Sequence, residues 1–293
     1  MEPIRSLALE KTFSTGAVLR GLDLAVPQGS IYGLLGRNGC GKTTLLNTLM
    51  GLSLPDAGRA LVLGQALGRG CPKEKAAVAY VAQGELLPSW APVRELITLE
   101  AELRPSFTAD GLHAWLDAEN LSPRRRVRDM SAGQRKRLEL ELALAGQPRV
   151  LLMDEPFAAL DPVSHADFTE QLLAYAACHQ PTILLSSHVL SDLERLCDRI
   201  GVLAKGVIAY EASLDDLKER TLLVTARGAV ASQAPPAEGQ IASYSAAGST
   251  TWIIEGLQSV DVKRLEREGF RVSHANLEGL GVELIRSLDP RVC

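Results

Sequence analysis

The residues that most clearly indicate a binding or catalytic function form a glycine-rich segment near the N-terminus. The pattern G-x-x-x-x-G-K-T runs from Gly36 to Thr43. An apolar run, Ile31 to Leu35, precedes it, and a stretch with helical spacing, Thr43 to Met50, follows it. Glycines let successive backbone N–H groups turn toward phosphate oxygens, and a helix N-terminus favours an anion. This strand–loop–helix order predicts a loop that binds the phosphates of a nucleoside triphosphate.

Individual side chains in this loop have distinct predicted roles. The ammonium of Lys42 can reach the β- and γ-phosphates, and the hydroxyl of Thr43 can hold Mg²⁺. Cys40 is interpreted as a small residue that the turn accommodates. The residues predicted to hold the nucleotide here are Gly36, Arg37, Asn38, Gly39, Cys40, Gly41, Lys42, Thr43 and Thr44.

Two acidic residues follow a second apolar run, where a buried strand is expected to end. The run Val150 to Met153 leads directly into Asp154 and Glu155. Strands of an open α/β sheet present their carboxyl ends to the ligand crevice, so both carboxylates are expected beside the phosphates. Asp154 would support Mg²⁺ and its waters, and Glu155 would polarise the attacking water. The alternative is a strand that ends in a solvated turn, and the phosphate-binding loop upstream weakens it.

Two further polar residues follow apolar runs in the same manner, although neither is strong evidence alone. Gln83 comes after Ala77 to Val81, and its amide could touch Mg²⁺ or water. His188 comes after Thr182 to Ser187, where a neutral imidazole could hydrogen-bond a γ-phosphate. A lone histidine is more often structural, so its role depends on the rest of the pattern.

A short polar segment, residues 130–134, precedes a long stretch of helical spacing and admits two interpretations. Ser131 could simply cap the helix. Alternatively, its hydroxyl and the neighbouring N–H groups could form a second anion site. Asp161, seven residues after Asp154, falls in a predicted turn.

Composition and charge narrow the class of protein. The chain has 293 residues, 46% of them hydrophobic, which suits one large or two modest domains. A net charge of −4 disfavours a general nucleic-acid binder, and the arginines of 124–128 suit a solvated loop. No apolar run reaches the ~18 residues of a membrane span, and we expect no signal-peptide core. The five cysteines lack zinc spacing and fit a reducing cytosol.

The order of elements predicts an α/β architecture with a largely parallel sheet. Two or three short strands are expected within residues 1–30, and residues from about 84 to 145 look like a helical insertion between two strands. After about residue 211 the pattern changes to a small, separate α+β domain. Apolar runs beside helical patterns recur at 31–35, 77–81, 150–153, 182–186 and 200–203. The C-terminal part combines runs at 222–225 and 251–254 with a loop at 234–239 and a helical stretch at 260–268.

Together and in this order, the motifs resemble those of the ATP-binding cassette (ABC) ATPases over roughly residues 3–210. The matching segments are Gly36–Thr43 for Walker A, Gln83 for the Q-loop, Leu151–Glu155 for Walker B, Ala159–Asp161 for the D-loop and His188 for the switch histidine. Ser131, Gly133 and Gln134 match the signature motif, usually Leu-Ser-Gly-Gly-Gln. Met130 and Ala132 depart from it, and we expect the methyl group of Ala132 to weaken rather than abolish its function. Phe13 falls where the family stacks an aromatic ring on adenine, with strand packing as its alternative role.

The resemblance implies a fold and a set of site residues. The fold is a P-loop NTPase core over residues 1–211, with an antiparallel β subdomain and a helical subdomain at about 84–145. A C-terminal α+β domain, 212–293, would serve accessory dimer contacts or regulation. The implied cofactors are ATP and Mg²⁺, the metal being held near Thr43, Gln83 and Asp154. Catalysis is implied for Glu155, His188 and Gln83, and further nucleotide contacts for Phe13, Ser131, Gly133, Gln134 and Asp161.

The resemblance also implies partners. Two copies would pack head to tail, each ATP lying between Walker A of one copy and the signature motif of the other. A groove near residues 84–95 would receive integral membrane permease subunits, with Trp90 either a contact or a core residue. The C-terminal segment favours the ABC-2-type exporter branch, peripheral on the cytoplasmic side of the cell membrane, with no nucleic-acid partner. The alternatives are a soluble cassette that remodels nucleic acid or ribosomes, and a regulatory module with little turnover, which Glu155 disfavours.

Overall fold

The structure, a computed structural model, describes residues 2–67, 72–84, 86–227, 235, 238–246, 248–257, 259–274 and 277–288. Its centre is a six-stranded sheet whose first five strands are parallel and whose last is antiparallel. In spatial order the strands are β5 (Val78–Val81), β6 (Val150–Asp154), β7 (Thr182–Ser187), β3 (Ile31–Leu35), β8 (Arg199–Ala204) and β9 (Val207–Ser213). The parallel strands are buried on both faces, which explains their continuous apolar sequences.

Helices cover this sheet and connect its strands. They are α1 (Lys42–Leu49) after β3, α2 (Pro72–Ala76) before β5, α6 (Pro162–His179) between β6 and β7, and α7 (Leu190–Glu194) between β7 and β8. The carboxyl ends of β3, β6 and β7 therefore meet at one edge of the sheet, where the predicted site residues follow each strand.

A second, antiparallel sheet packs beside the first, as predicted for the N-terminal region. Its strands are β1 (Ile4–Phe13), β2 (Gly16–Val26) and β4 (Ala57–Val62), with β1 in the middle. The sequence analysis did not predict β4, because its first half is exposed and only its second half carries buried residues.

The helical insertion is confirmed and has a core of its own. It comprises α3 (Val93–Leu103), α4 (Asp110–Ala118), a 3₁₀ turn (Val127–Asp129) and α5 (Ala132–Ala145). One side of α5, including Leu138 and Leu142, packs into this core. Its other side, including Leu140 and Leu144, packs onto the central sheet, so α5 joins the insertion to the nucleotide-binding core.

The C-terminal part begins later than predicted, because residues 212 and 213 still belong to β9. We call residues 214–288 the C-terminal module. It contains α8 (Leu214–Arg220), β10 (Thr221–Arg227), β11 (Gln240–Ala246), β12 (Ser249–Glu255), α9 (Ser259–Arg267), β13 (Arg271–His274) and α10 (Leu277–Leu288). Its strands form an antiparallel sheet in the order β11–β12–β10–β13. Half of the predicted loop at 234–239 lies outside the described residues.

The C-terminal module is not packed as a separate body. One face of its sheet, including Trp252 and Ile254, is closed by Leu265 of α9 in a cluster confined to the module. On the other face, Ile253 belongs to the same hydrophobic core as Leu284 of α10 and the central sheet. The helix α10 is therefore a layer shared by the module and the nucleotide-binding core.

Candidate nucleotide-binding site

The phosphate-binding loop, Gly36–Thr43, joins the buried strand β3 to the N-terminus of α1. Gly41 has φ of +118°, a conformation that favours glycine. A Cβ atom at Gly36 would lie 2.6 Å from Sγ of Cys40 and 2.8 Å from the carbonyl oxygen of Leu203, so only glycine fits there. Cys40 is buried against this backbone, in agreement with its interpretation as a small packed residue.

Lys42 and Glu155 form a buried ion pair at the centre of the site. Nζ of Lys42 lies 3.1 Å from Oε1 of Glu155, and the two side chains are only 5% and 6% exposed. The same ammonium donates to the carbonyl oxygen of Gly36 at 2.6 Å. Nδ1 of His188 lies 2.9 Å from Oε2 of Glu155. The structure thus brings together a lysine, a glutamate and a histidine that follow three different strands.

Asp154 occupies the neighbouring position and is held by hydroxyl groups. Thr43 donates to its Oδ2 at 2.6 Å, and Ser186 donates to its Oδ1 at 2.6 Å. The backbone N–H of Glu155 donates to the hydroxyl of Ser186 at 3.0 Å, so one serine orients both acids. The sequence analysis missed Ser186. Ser186 and Ser187 are two small polar residues at the end of β7, and this pair is the sequence feature that could have indicated the role of Ser186.

The oxygen atoms around Asp154 suit a hard divalent cation. A carboxylate and a threonine hydroxyl in direct contact are the kind of ligands that Mg²⁺ takes, together with waters and phosphate oxygens. The residues present therefore fit the predicted Mg²⁺ ion. Thr43 and Asp154 would hold it.

A cavity of about 410 Å³ opens in front of these groups. Its lining includes Phe13, Val18, Gln83, Glu155 and residues of the phosphate-binding loop. Phe13 is 46% exposed, which disfavours the alternative of ordinary strand packing. The ammonium of Lys11 lies 5.4 Å from the centre of the Phe13 ring. Val18 was not predicted. It adds an apolar wall to the same cavity.

Gln83 lies at the junction of this cavity and a second, smaller one. The second cavity, of about 200 Å³, runs between the core and the helical insertion. We call it the coupling groove, and its lining is Gln83, Gly84, Leu86, Leu87, Val127, Ala132, Arg135, Lys136, Glu139 and Ala159. Trp90 lies in the same segment of chain and is 65% exposed, so its alternative role as a core residue is wrong.

The backbone before Gln83 is fixed by two buried charged residues of α5. The ammonium of Lys136 donates to the carbonyl oxygen of Ala82, and a carboxylate oxygen of Glu139 accepts from its N–H at 3.2 Å. Burial raises the pKa of the preceding Tyr80, and the negative charges of Asp154 and Glu139 raise it further. Its hydroxyl stays protonated and donates to Asn47 of α1.

The signature loop, residues 130–134, is built differently from the rest of the site. Ser131 is exposed and caps α5: its hydroxyl accepts from the N–H of Gln134, whose side chain accepts from the N–H of Ser131, both at 3.1 Å. The capping interpretation is therefore confirmed. Within the described part of the chain, Ser131, Gly133 and Gln134 do not line the cavity that contains Lys42.

Asp161 caps α6 in a similar way. Its carboxylate accepts from the N–H groups of Val163 and Ser164 and from the Ser164 hydroxyl. These hydrogen bonds, led by that of the Ser164 side chain, hold the pKa of Asp161 below its ordinary value. The structure places Asp161 on the surface, and it does not line the nucleotide cavity.

Comparison with known proteins decides the family. The sequence profile described as ABC transporter matches residues 19–158. The ABC transporter ATP-binding protein YtrB of Bacillus subtilis is 30% identical over 216 residues, which cover 74% of each chain. The chain belongs to the ABC transporter family. The prediction of an ATP-hydrolysing subunit of a membrane transporter is thereby confirmed.

Two further similarities show how much of the length of this ABC ATPase is shared with related proteins. The bacitracin transport ATP-binding protein BcrA of Enterococcus faecalis is 29% identical over 281 residues, covering 92% of this chain and 90% of that protein. A match of that extent includes the C-terminal module. A solved structure of an ATP-binding subunit of an ABC transporter superposes with a TM-score of 0.67 at 25% identity, over 73% of this chain and 91% of that one.

These comparisons leave the alternative of a soluble cassette that remodels nucleic acid without support. Within the residues that the structure describes, no helix of this ABC ATPase is long and apolar enough to cross a bilayer.

Proposed function

We propose that this ABC ATPase hydrolyses ATP between two copies of itself, packed head to tail. The observation that carries the proposal is the buried cluster at the strand ends, where Lys42 contacts Glu155 and Thr43 contacts Asp154. Each group belongs to the motif that predicts its role. Lys42, Thr43 and Glu155 line one cavity beside the phosphate-binding loop, and buried Asp154 contacts Thr43 at its edge.

The chemistry assigned to these residues is phosphoryl transfer to water. Lys42 would exchange its contact with Glu155 for the β- and γ-phosphates, which frees the carboxylate of Glu155 to orient the attacking water. His188, beside Glu155, would donate a hydrogen bond to the γ-phosphate. Mg²⁺, held by Thr43 and Asp154, would neutralise charge on the phosphate oxygens.

The head-to-tail arrangement is supported by the exposed signature loop. Among the described residues, the hydroxyl and the N–H of Ser131 hydrogen-bond to Gln134 rather than to an acidic side chain, and a helix start is suited to phosphate. A second copy would bring its own signature loop over the cavity of the first. Each copy contributes one half of each site, so both sites are complete only in the dimer.

The coupling groove is the proposed docking site for a permease subunit. It adjoins the nucleotide cavity through Gln83, so closure around ATP would move both surfaces together. Exposed Leu86 and Trp90 provide apolar contacts there. Similarity to a Nod factor export ATP-binding protein of Rhizobium sp., 34% identical over 70% of this chain, supports transport out of the cell. The subunit would act from a peripheral position on the cytoplasmic side of the membrane.

The test uses Glu155→Gln, which keeps the shape of the side chain but removes the water-activating charge. In ATP and Mg²⁺ this variant should elute from size exclusion as a dimer and hydrolyse no ATP, whereas with ADP it should elute as a monomer. Glu170→Gln, a change at an exposed residue of α6, serves as the matched control and should behave as the unmodified chain. A Glu155→Gln variant that stays monomeric in ATP, even with its permease, refutes the proposal.

A further inference from the structure

The last helix of the chain packs directly on the element that follows the switch histidine. The helix α10 contacts β11 on one side and α7 and β8 on the other. Leu280 and Leu284 of α10 are fully buried, in one hydrophobic core with Leu190 and Leu193 of α7. Because α7 is only five residues long, its position depends on such packing rather than on its own helical stability.

The contact between the two helices is unusually close at one point. A Cβ atom placed on Gly281 of α10 would lie 2.5 Å from Cβ of Leu190. Non-bonded carbon atoms essentially never approach to that distance, so any other residue at Gly281 must displace α7 or α10. The interface therefore determines where α7 lies.

From α7, hydrogen bonds continue to both neighbours of His188. The hydroxyl of Ser187 donates to the carboxylate of Asp192 in α7 at 3.0 Å and accepts from the N–H of Val189 at 3.0 Å. The carbonyl oxygen of Ser187 accepts from the N–H of Gly36 in the phosphate-binding loop at 3.3 Å. His188 thus lies between two residues that are tied to α7, and it contacts Glu155 at 2.9 Å.

We propose that the C-terminal module positions the switch histidine. The helix α10 holds α7, and α7 holds the Ser187–Val189 turn that places the imidazole of His188 against Glu155. Leu284 and Gly281 are positioning residues in this scheme, because they act through α7 and touch neither nucleotide nor water. The inference rests on the catalytic role proposed above for His188.

The module offers a matched control on its opposite face. Leu265 of α9 is as buried as Leu284, but it packs with Trp252 and Phe270 in a cluster that does not reach α7. Leu265→Ala and Leu284→Ala remove the same atoms from the same module. Both should lower the thermal stability of the module, whereas only Leu284→Ala loosens the support of α7.

The experiment measures kcat and KM for ATP hydrolysis by the full chain. Leu284→Ala should lower kcat about tenfold or more, because catalytic geometry tolerates little displacement, while KM stays within about twofold of that of the unmodified chain. Leu265→Ala should keep kcat within about twofold, since it changes no catalytic contact. Leu284→Met, which conserves volume, should restore most of the rate.

A double variant separates positioning from general damage. If Leu284 acts through His188, His188→Ala with Leu284→Ala should be no slower than His188→Ala alone, because effects on one shared interaction do not add. Should Leu284→Ala not fold, Gly281→Ala replaces it in both comparisons. The inference is overturned if the Leu284 and Leu265 variants hydrolyse ATP at equal rates, or if the two losses multiply fully in the double variant. Neither result would contradict the proposed function. Unimpaired hydrolysis by His188→Ala instead refutes the role proposed for His188, and the inference with it.

Discussion

The two halves of the proposed ATP site differ in the contacts that hold them: long-range contacts around the phosphate-binding loop, and local hydrogen bonds around the signature loop. Around the phosphate-binding loop, polar groups pair between distant segments of the chain: Thr43 with buried Asp154, and buried Lys42 with buried Glu155. Around the signature loop, the hydrogen bonds are local, joining Ser131 to Gln134 three residues later, and Ser131 is exposed. The first half, which we call the assembled half, therefore depends on contacts between distant segments of the fold, whereas the second, the exposed half, depends on the first turn of a single helix.

This difference indicates where the polar groups of each half must find their partners. A buried polar group must find a partner within the chain, since leaving it unpaired is costly. The strand ends therefore hold their catalytic groups in place even without nucleotide. An exposed helix start needs no such partner and remains available to a ligand on another molecule. The contrast is what a site divided between two copies would require.

The largest effect is expected from Lys42→Ala in the assembled half. ATP affinity should fall at least about a hundredfold, because the charge that meets the phosphates is removed. The variant should also lose about 3 kcal/mol of unfolding free energy, because the buried carboxylate of Glu155 loses the ammonium that balances its charge and keeps only its contact with His188. Titration with a fluorescent ATP analogue and urea denaturation measure the two effects.

A second variant separates the two consequences of losing Lys42. In Lys42→Ala combined with Glu155→Gln, the buried charge is gone, so most of the lost stability should return while ATP affinity stays low. Unchanged ATP affinity in Lys42→Ala would contradict the phosphate role, and unchanged stability would contradict the importance of the ion pair.

In the exposed half, Ser131→Asp distinguishes capping from phosphate contact. Aspartate caps a helix as well as serine does, so thermal stability and ATP binding by one copy should stay near those of the unmodified chain. ATP-driven dimerisation should weaken about a hundredfold or more, because a carboxylate would face the phosphate of the partner's ATP. Sedimentation of this variant in the Glu155→Gln background measures the effect, with Ser131→Asn as the uncharged control. Normal dimerisation of Ser131→Asp would leave the capping role as the whole explanation of the serine.

An intermediate effect is expected from Ser186→Ala, which tests how strongly the assembled half depends on its support. The change leaves the buried N–H of Glu155 without its acceptor and Asp154 with one hydrogen bond fewer, a loss of about 1–3 kcal/mol of unfolding free energy. We expect kcat to fall about tenfold, with a weaker apparent affinity for Mg²⁺. Ser245→Ala, on an exposed strand of the C-terminal module, is the control. An unchanged Mg²⁺ dependence would show that Ser186 does not orient Asp154.

The same contrast explains what could be predicted from the sequence. The strand β3 and the phosphate-binding loop follow from local patterns, and the structure places them at the predicted residues. The buried pair of Lys42 and Glu155 joins residues more than a hundred positions apart, and no local pattern encodes that distance. Ser186 was missed because a small polar residue at a strand end has many possible partners.

How the C-terminal module packs on the core could not be predicted for a related reason. The composition after residue 211 correctly predicted strands and a helix, but composition does not say which face of an amphipathic helix meets which neighbour. The helix α10 buries Leu280 and Leu284 against α7, nearly ninety residues earlier in the chain. Long-range packing of this kind becomes visible only in three dimensions.

The smallest effect is expected at Ala132, the first residue of α5 and one of the two positions where this chain departs from the usual signature motif. Ala132 is exposed beside Ser131, so its methyl group would stand where the loop approaches the partner's phosphate. Ala132→Gly removes that group at an expected loss of about 0.5–1 kcal/mol in helix stability. ATPase activity, measured with purified protein at saturating ATP, should be equal to that of the unmodified chain or up to a few-fold higher.

Ala118→Gly, at the last residue of α4, is the control. It makes a similar backbone change away from the signature loop and should leave the rate unaltered. A sharp loss of activity in Ala132→Gly alone would mean that the methyl group supports the loop rather than obstructs it, and that the exposed half of the site depends on its helix start more than on access to phosphate.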